Sequence, residues 1–535
     1  MITIQKKAVV LAALMLTLSL SALSGPVDDA IRARLEPLVG KQPLQPAGTA
    51  ISMPQAEAEF YAQRQWQPVW DEPRYQSLLA ALADTAADGL NPEDYSVSLL
   101  EHSRRGDDPQ KAAERDMLAT RAYLLALMHL YHGKVDPRRL DSLWNFDARQ
   151  LDPEHGLTLA RQAVEQGDIA GIFNRARPDA PQYGALRAAL ARLRDEAKNA
   201  KGGHWPTLPP GPTLKPGARD ARVPLLRQRL QDAGLLPAGA NEHSEVYDPA
   251  LVAAVRRFQQ ASYIDADGTL GARTVAALNV PLRQRIDQVR VNLERARWLL
   301  HNLDQGDKVI VDVAGYRIVY LHDGQVEWRS RVQIGKEYRP TPIFKSAITR
   351  VTLSPGWVIP PTILQQDALP AIRRNIGYLA RNRLHVYDQA GKEIAPAAVD
   401  WARPGRITLR QEPGANGSLG EVVIRFANAY SIYLHDTPHK AQFNNSQRAT
   451  SSGCIRVQNI HQLAVLLLDD PQKWSREAMQ KVIDERKTRE VALKKPVPIL
   501  LAYWTVDVDN DGYVSFKPDV YKRDGKVLAA LDKSG

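Results

Sequence analysis

The chain has 535 residues, 44% hydrophobic and 24% charged, with a formal net charge of +10. That length suits about three or four globular domains with enough apolar material for several cores. No Lys/Arg run is interleaved with aromatics, which argues against nucleic acid; the positive excess suits an anionic partner such as a cell wall or membrane surface, and equally a basic soluble protein.

The first residues read as a secretory leader. Lys6 and Lys7 precede an apolar run, Ala8 to Leu20, and Ala22-Leu23-Ser24 supplies small residues where a signal peptidase would cut. The run is shorter than the ~20 residues that span a bilayer, so cleavage after about residue 24 is expected rather than a membrane anchor. No cysteine follows it, which excludes a lipid-anchored form. Losing Lys6 and Lys7 takes the charge from +10 to +8. An exported chain with one cysteine, Cys454, has no intrachain disulfide. Its thiol is either buried and inert or kept for reactivity.

Residues 25–200 are predicted to form a helical scaffold, with apolar residues three and four apart in "KAAERDMLATRAYLLALMHLYHGKV" and "PQYGALRAALARLRDEAKNA". His129 and His132 lie three apart there, but with no third clustered ligand they read as core or edge residues. The Pro/Gly-rich stretch 201–222 reads as a linker. Residues 223–280 suggest three short amphipathic helices, around Leu225–Ala233, around Pro249–Gln260 and from Thr274, with a turn at Asp267-Gly268. "LRQRLQDAGLL", "YDPALVAAVRRFQ" and "DGTLGARTVAAL" resemble the three-helix peptidoglycan-binding domain.

From Lys308 the period changes to two. "KVIVDVAGYRIVYLHDGQVEWRSRVQIG" predicts three strands with turns at Ala314-Gly315 and Asp323-Gly324, and strand-like runs return as far as "PVPILLAYWTVDVDNDGYVSF". A β-rich domain is expected from 306 to about 505, interrupted by a largely helical insert at about 361–413. In the tail, 506–535, Asp507, Asp509, Asp511 and Gly512 imitate a calcium loop. Pro518 stands where that loop needs a bidentate Glu, so Asn510-Asp511-Gly512 is read as a hairpin turn.

Cys454 sits in "SSGCIRVQNIHQL". Gly453 allows a sharp bend that turns N–H groups towards an incoming carbonyl, and Asn459 with Gln462 looks like a capping pair opening the next helix. The thiol is thereby expected on a strand-to-helix turn, where a nearby base can make it a nucleophile. His435, His439 and His461 are the candidate bases. His435 ends the strand "SIYLH" nineteen residues before Cys454, and Pro438 prevents the helix that would make His435 and His439 a metal pair.

"YLHDTP" and "SSGCIRV" resemble the signature of the L,D-transpeptidase family (YkuD-type catalytic domain). With the leader, helical scaffold, wall-binding module and insert, the chain is similar to its large LdtD/YcbB-like Gram-negative subfamily. The resemblance implies an α+β multidomain periplasmic enzyme that cross-links diaminopimelate residues of peptidoglycan stems through a cysteine thioester. Cys454 would be the nucleophile, His435 the general acid/base and Gly453 an oxyanion donor. Arg456, Ser452, Tyr433 and Trp401 would contact substrate, with Tyr378 a further contact from the insert acting as a cap. It implies peptidoglycan as partner, no metal or cofactor, and lasting acylation by carbapenems. The same acyl-enzyme handed to water would make a carboxypeptidase or amidase, and a non-catalytic wall-binding scaffold is the remaining alternative.

Overall fold

The computed structural model describes residues 25–40, 52–103, 106–146, 149, 151–200, 205–237, 239, 243–301 and 306–533. The leader read in residues 1–24 lies outside them. No described helix is long and apolar enough to cross a membrane. The chain divides into two compact units. One holds described residues up to 82, 95–125 and 151–172; the other holds 83–94, 126–150 and everything from 173.

The first unit is helical. Its core is organised around a buried carboxylate on the helix Pro109–His132. Asp116 accepts from the Tyr61 hydroxyl at 2.6 Å and from the Val69 and Trp70 N–H groups at 3.0 Å each. Burial still pushes its carboxyl above the ordinary range. Paired this way, the acid fixes an irregular chain segment that no repeating ladder could hold.

In the second unit, the helix Leu282–Leu299 is buried along most of its length. Glu294 on it is fully buried and takes four donors: Arg297 Nε at 3.0 Å and Nη2 at 2.5 Å, the Val135 N–H at 2.7 Å and the Trp298 indole at 3.1 Å. Arg297 also donates to the Asp88 carbonyl and the Tyr183 hydroxyl. Parts of the predicted scaffold, 83–94 and 126–150, therefore pack into this unit. His129 is buried there with its imidazole pushed down to about 3 by desolvation, which keeps it neutral.

The three-helix module follows its motif closely: Val223–Asp232, Pro249–Ala261 and Ala272–Leu278. Asp248 caps the second helix by accepting from the Leu251 N–H at 2.9 Å. Gln259 holds the Asp267-Gly268 turn, donating to Asp267 at 3.0 Å and accepting from the Gly268 N–H at 2.9 Å. The described part of the stretch read as a linker, 205–222, contributes to this core instead. Leu208 and Leu214 are buried in it, and Leu214 exchanges backbone hydrogen bonds with Leu270. Burying each such leucine stabilises by about 1.5–3 kcal/mol, which outweighs the local Pro/Gly composition.

The strands in chain order are β1 Trp144–Asn145, β2 Lys308–Asp312, β3 Arg317–His322, β4 Gln325–Gly335, β5 Ile343–Leu353, β6 Trp357–Val358, β7 Leu384–Tyr387, β8 Glu393–Ile394, β9 Thr408–Gln411, β10 Val422–Phe426, β11 Leu434–His435, β12 Ala449–Ser451, β13 Ile455–Val457, β14 Arg489–Ala502, β15 Val506–Val508 and β16 Val514–Phe516. The hairpin β3–β4 turns at Asp323-Gly324, both with positive φ, as a two-residue loop requires. In the main sheet β5, β10, β11, β13, β4, β3, β2 and β14 are neighbours in that order, and β14 pairs again with β5. The sheet thus closes on itself and leaves these strands without a free edge. The tail hairpin β15–β16 turns at Gly512, and Asp507 is spent on Lys517 and Arg317.

The insert departs from expectation. It is mixed rather than largely helical: short helical turns between 361 and 381 pack on a sheet ordered β6-β9-β7-β8. Val386 and Leu409 face its core together with Leu369 and Ile372. Its strands are two to four residues long, too short for alternation to register.

Truncating Glu294 to Ala would leave the Arg297 guanidinium buried without its acid. We expect a loss of about 3–5 kcal/mol in the urea unfolding of the second unit. An unchanged midpoint would contradict this account of the helix.

Candidate active site around Cys454

The turn that carries Cys454 is held by side chains before it and behind it. Ser451 Oγ donates to the Cys454 carbonyl at 2.5 Å and accepts from the Gly453 N–H at 3.1 Å. Thr341 Oγ1 donates to the Gly453 carbonyl at 2.7 Å and accepts from the Gly335 N–H at 3.0 Å. Gly453 has φ +118°, a conformation L side chains avoid. A Cβ on Gly335 would lie 3.0 Å from the Gly453 Cα and closer still to the Arg339 carbonyl. Two backbones therefore meet at a pair of glycines beneath the cysteine.

The register of β11 and β13 then decides which side chains share a face. The strands run parallel with His435 opposite Arg456, and the Ile455 N–H donates to the Tyr433 carbonyl at 3.2 Å. Because side chains alternate along a strand, Tyr433 and His435 project on the same side as Cys454 and Arg456. Leu434 and Ile455 point the other way into the core. Upstream of β11, Asn428 accepts from the Tyr430 and Ile432 N–H groups, and Ser431 takes a left-handed φ of 56°. That local bend turns the Ser431 carbonyl to the thiol, whose sulfur lies 3.7 Å away.

The electrostatics of this face are set by burial. His435 is buried, and desolvation first, then the Arg456 cation, pushes its imidazole down to about 3. Its Nδ1 lies 2.5 Å from the Asp436 carbonyl. A carbonyl only accepts, so Nδ1 carries the proton and Nε2 is left as a base. Burial raises the Cys454 thiol, opposed by hydrogen bonds from Tyr433 and by Arg456 and Arg425. Tyr433 lies beside the sulfur and the Trp357 indole, and burial pushes its phenol up. The resting pair is a neutral thiol and a neutral imidazole. Arg456 donates to Gln333 Oε1 at 3.0 Å and has no carboxylate partner among the described residues.

The expected residues divide. Cys454, His435, Tyr433 and Arg456 come together. Gly453 belongs to the turn, but its N–H is committed to Ser451 and is not free as an oxyanion donor. Asn459 takes a left-handed φ of 56° and makes no side-chain cap; Gln462 instead accepts from the Trp328 indole. His439 is exposed, and His461 bonds Glu421 at 3.0 Å. Glu421, Asp436 and His461 bring ligand atoms within 4.8 Å of one another, but Lys440 holds Asp436 at 2.7 Å and the Glu421 N–H donates to it at 3.2 Å. Trp401 and Tyr378 pack against the insert's own core, and the Trp401 indole donates to the Pro396 carbonyl. Trp401 is therefore not brought to this group.

Sequence reading missed Arg339. It lies in the loop between β4 and β5 and forks onto Asp367 of the insert at 2.5 and 3.1 Å, reaching Gln366 at 2.7 Å and Ser452 Oγ at 3.1 Å. Gln366 and Asp367 lie on a π-helical turn, Leu364–Ala368, a geometry that recurs at functional sites. Nothing in the spacing of "KEYRP" signals this pairing; it exists only once the insert folds back.

Residues 306–483 match the family model described as "L,D-transpeptidase catalytic domain", residues 219–278 "Putative peptidoglycan binding domain" and residues 55–190 "Scaffold domain". The chain thus carries an L,D-transpeptidase catalytic domain together with a peptidoglycan-binding domain. A curated relative from Haemophilus influenzae, described as "Putative L,D-transpeptidase", is 31% identical over 250 residues, 45% of this chain and 49% of its own. The chain therefore spans about half the length of that relative. Solved structures that resemble it include L,D-transpeptidases from Xylanimonas cellulosilytica (16% identity, TM-score 0.19, 55% of this chain and 99% of that one) and Stackebrandtia nassauensis (14%, 0.22, 55% and 96%).

Asp367→Ala should release the insert from the loop that carries Arg339. Hydrogen exchange of amides 361–369 is expected to quicken, while global stability falls by no more than about 1 kcal/mol, the usual size for a half-exposed pair. Unchanged exchange there would show that the fork does not tether the insert.

Proposed function

We propose that the protein is a peptidoglycan L,D-transpeptidase, exported to the periplasm, that joins diaminopimelate residues of stem peptides through a thioester on Cys454. The observation that carries this reading is the shared face of Cys454, Tyr433, His435 and Arg456 inside a domain matching the L,D-transpeptidase family. The peptidoglycan-binding module and the basic charge suit the same polymer.

In the first half-reaction the thiol attacks the carbonyl between diaminopimelate and the terminal D-alanine, and His435 Nε2 takes the thiol proton. Both groups rest neutral, so the proton moves as the C–S bond forms instead of from a standing ion pair. Arg456, with no acid of its own, stabilises the sulfur's developing charge. The oxyanion meets the Cys454 N–H, to which no described residue is bonded. His435 returns the proton to the departing D-alanine amine, and the thioester remains. The side-chain amine of an acceptor diaminopimelate then attacks, giving its proton to His435 and the sulfur its electron pair back. Tyr433 steadies the sulfur throughout, with the Trp357 indole behind it.

Purified protein given tetrapeptide-containing muropeptides should yield cross-linked dimers and free D-alanine. Cys454→Ala should abolish both products, and His435→Ala should slow them by about 10²–10⁴. Tripeptide monomers without dimers would mean that water is the acceptor. Undiminished dimers from Cys454→Ala would overturn the proposal.

A further inference from the structure

Away from Cys454, the three-helix module, the helix Pro181–Asn199 and the β15–β16 hairpin enclose a cavity of about 250 Å³. Its walls carry charges of both signs, Arg192, Arg229 and Arg285 against Glu196 and Asp232. Arg229 is 4% exposed; its Nη2 donates to the Leu278 carbonyl at 2.9 Å, and its Nε has no partner. Arg285 reaches only neutral acceptors, Gln288 Oε1 at 3.0 Å and the Ala277 carbonyl at 3.4 Å. Glu196 and Asp232 line the same space; Glu196 is drawn to Arg192 and Arg229 and Asp232 to Arg229, though none of these pairs closes to 4.0 Å among the described residues. Each guanidinium instead lies over an aromatic ring, Arg229 4.2 Å from the centre of Trp205 and Arg285 4.3 Å from that of Phe516.

Of these groups Arg229 is the fully buried one, and its burial is costly as a purely structural arrangement. Desolvation lowers both guanidinium groups to about 10 and raises both carboxyls, and the mutual attraction of Arg229 with Glu196 and Asp232 offsets this only in part. A buried charge that lacks a partner normally either loses its charge or finds a counter-ion. Three arginines and two acids facing one space, with aromatic rings between, suit a ligand that brings both signs. The volume falls below the roughly 300–1,000 Å³ of pockets for drug-sized molecules, so the ligand is a small head group.

We propose that this cavity is a second binding site, for the zwitterionic α-amino-acid head of a peptide side chain. The carboxylate would lie on Arg229 and Arg285, the ammonium against Glu196 and Asp232, and the aliphatic arm along Trp205 and Phe516. Its source rests on the reading given above: in a peptidoglycan stem, the free end of an uncross-linked diaminopimelate carries that pair of groups. The site would then hold the wall by stems still available for joining, and would ignore those whose amine is already consumed.

Hydrogen-exchange mass spectrometry on the full chain bearing Cys454→Ala, with a diaminopimelate tetrapeptide as probe, separates the two sites. Slowed exchange in 228–234 and 511–516 reports the cavity, and slowed exchange in 431–456 reports the cleft. The proposal expects cavity protection that weakens at least about tenfold in apparent affinity when the probe's free amine is acetylated or its adjacent carboxylate amidated. Arg229→Gln and Glu196→Gln should each do the same while exchange elsewhere stays unchanged. Should either variant misfold, the two modified probes on the parent chain carry the test alone. Cavity exchange that the tetrapeptide leaves unaltered overturns the proposal, as does equal protection by the blocked probes. The cleft segment answers independently: protection at 431–456 with none at the cavity leaves the transpeptidase reading standing.

Discussion

A single parallel pairing, two residues of β11 against the start of β13, organises the chemistry of this protein. With His435 opposite Arg456, the alternation of strand side chains puts the thiol, the imidazole, the phenol and the guanidinium on one face. A slip of one residue would send His435 into the core and Leu434 into the cleft. The closed sheet guards against that slip. β11 is held between β10 and β13, and β13 is held by β4, so neither strand can shift without breaking ladders on both sides.

The same burial that fixes the register sets the protonation states. A half-buried thiol with a raised titration point and a buried imidazole lowered to about 3 form a pair with no standing charge. Such a thiol is slow to oxidise or alkylate. Arg456, which has no carboxylate partner among the described residues, is itself lowered by burial.

Much of this was legible in the sequence, for physical reasons. A lone cysteine after Gly453, a histidine at a strand end and the "DGTLG" turn are local signals, because turn geometry depends on neighbouring residues. The hairpin at Asp323-Gly324 was legible for the same reason. What escaped was non-local. The commitment of the Gly453 N–H to Ser451, the packing of Trp401 into the insert and the Arg339–Asp367 fork depend on chain segments that meet only after folding. Leu208 and Leu214 were hidden by the prolines around them, and the insert's sheet by strands too short to show a period. The two-unit division of the helical region escaped because amphipathic periodicity says that a helix buries a face, not what it buries it against.

The central claim is that Cys454 and His435 rest as a neutral pair. Its most direct test is the pH dependence of Cys454 alkylation by a small uncharged reagent, followed by intact mass. The account predicts a rate that climbs with pH along a single titration above the ordinary thiol range, without a plateau in acid. A plateau already established at about pH 5, as a thiolate–imidazolium pair gives, would contradict it.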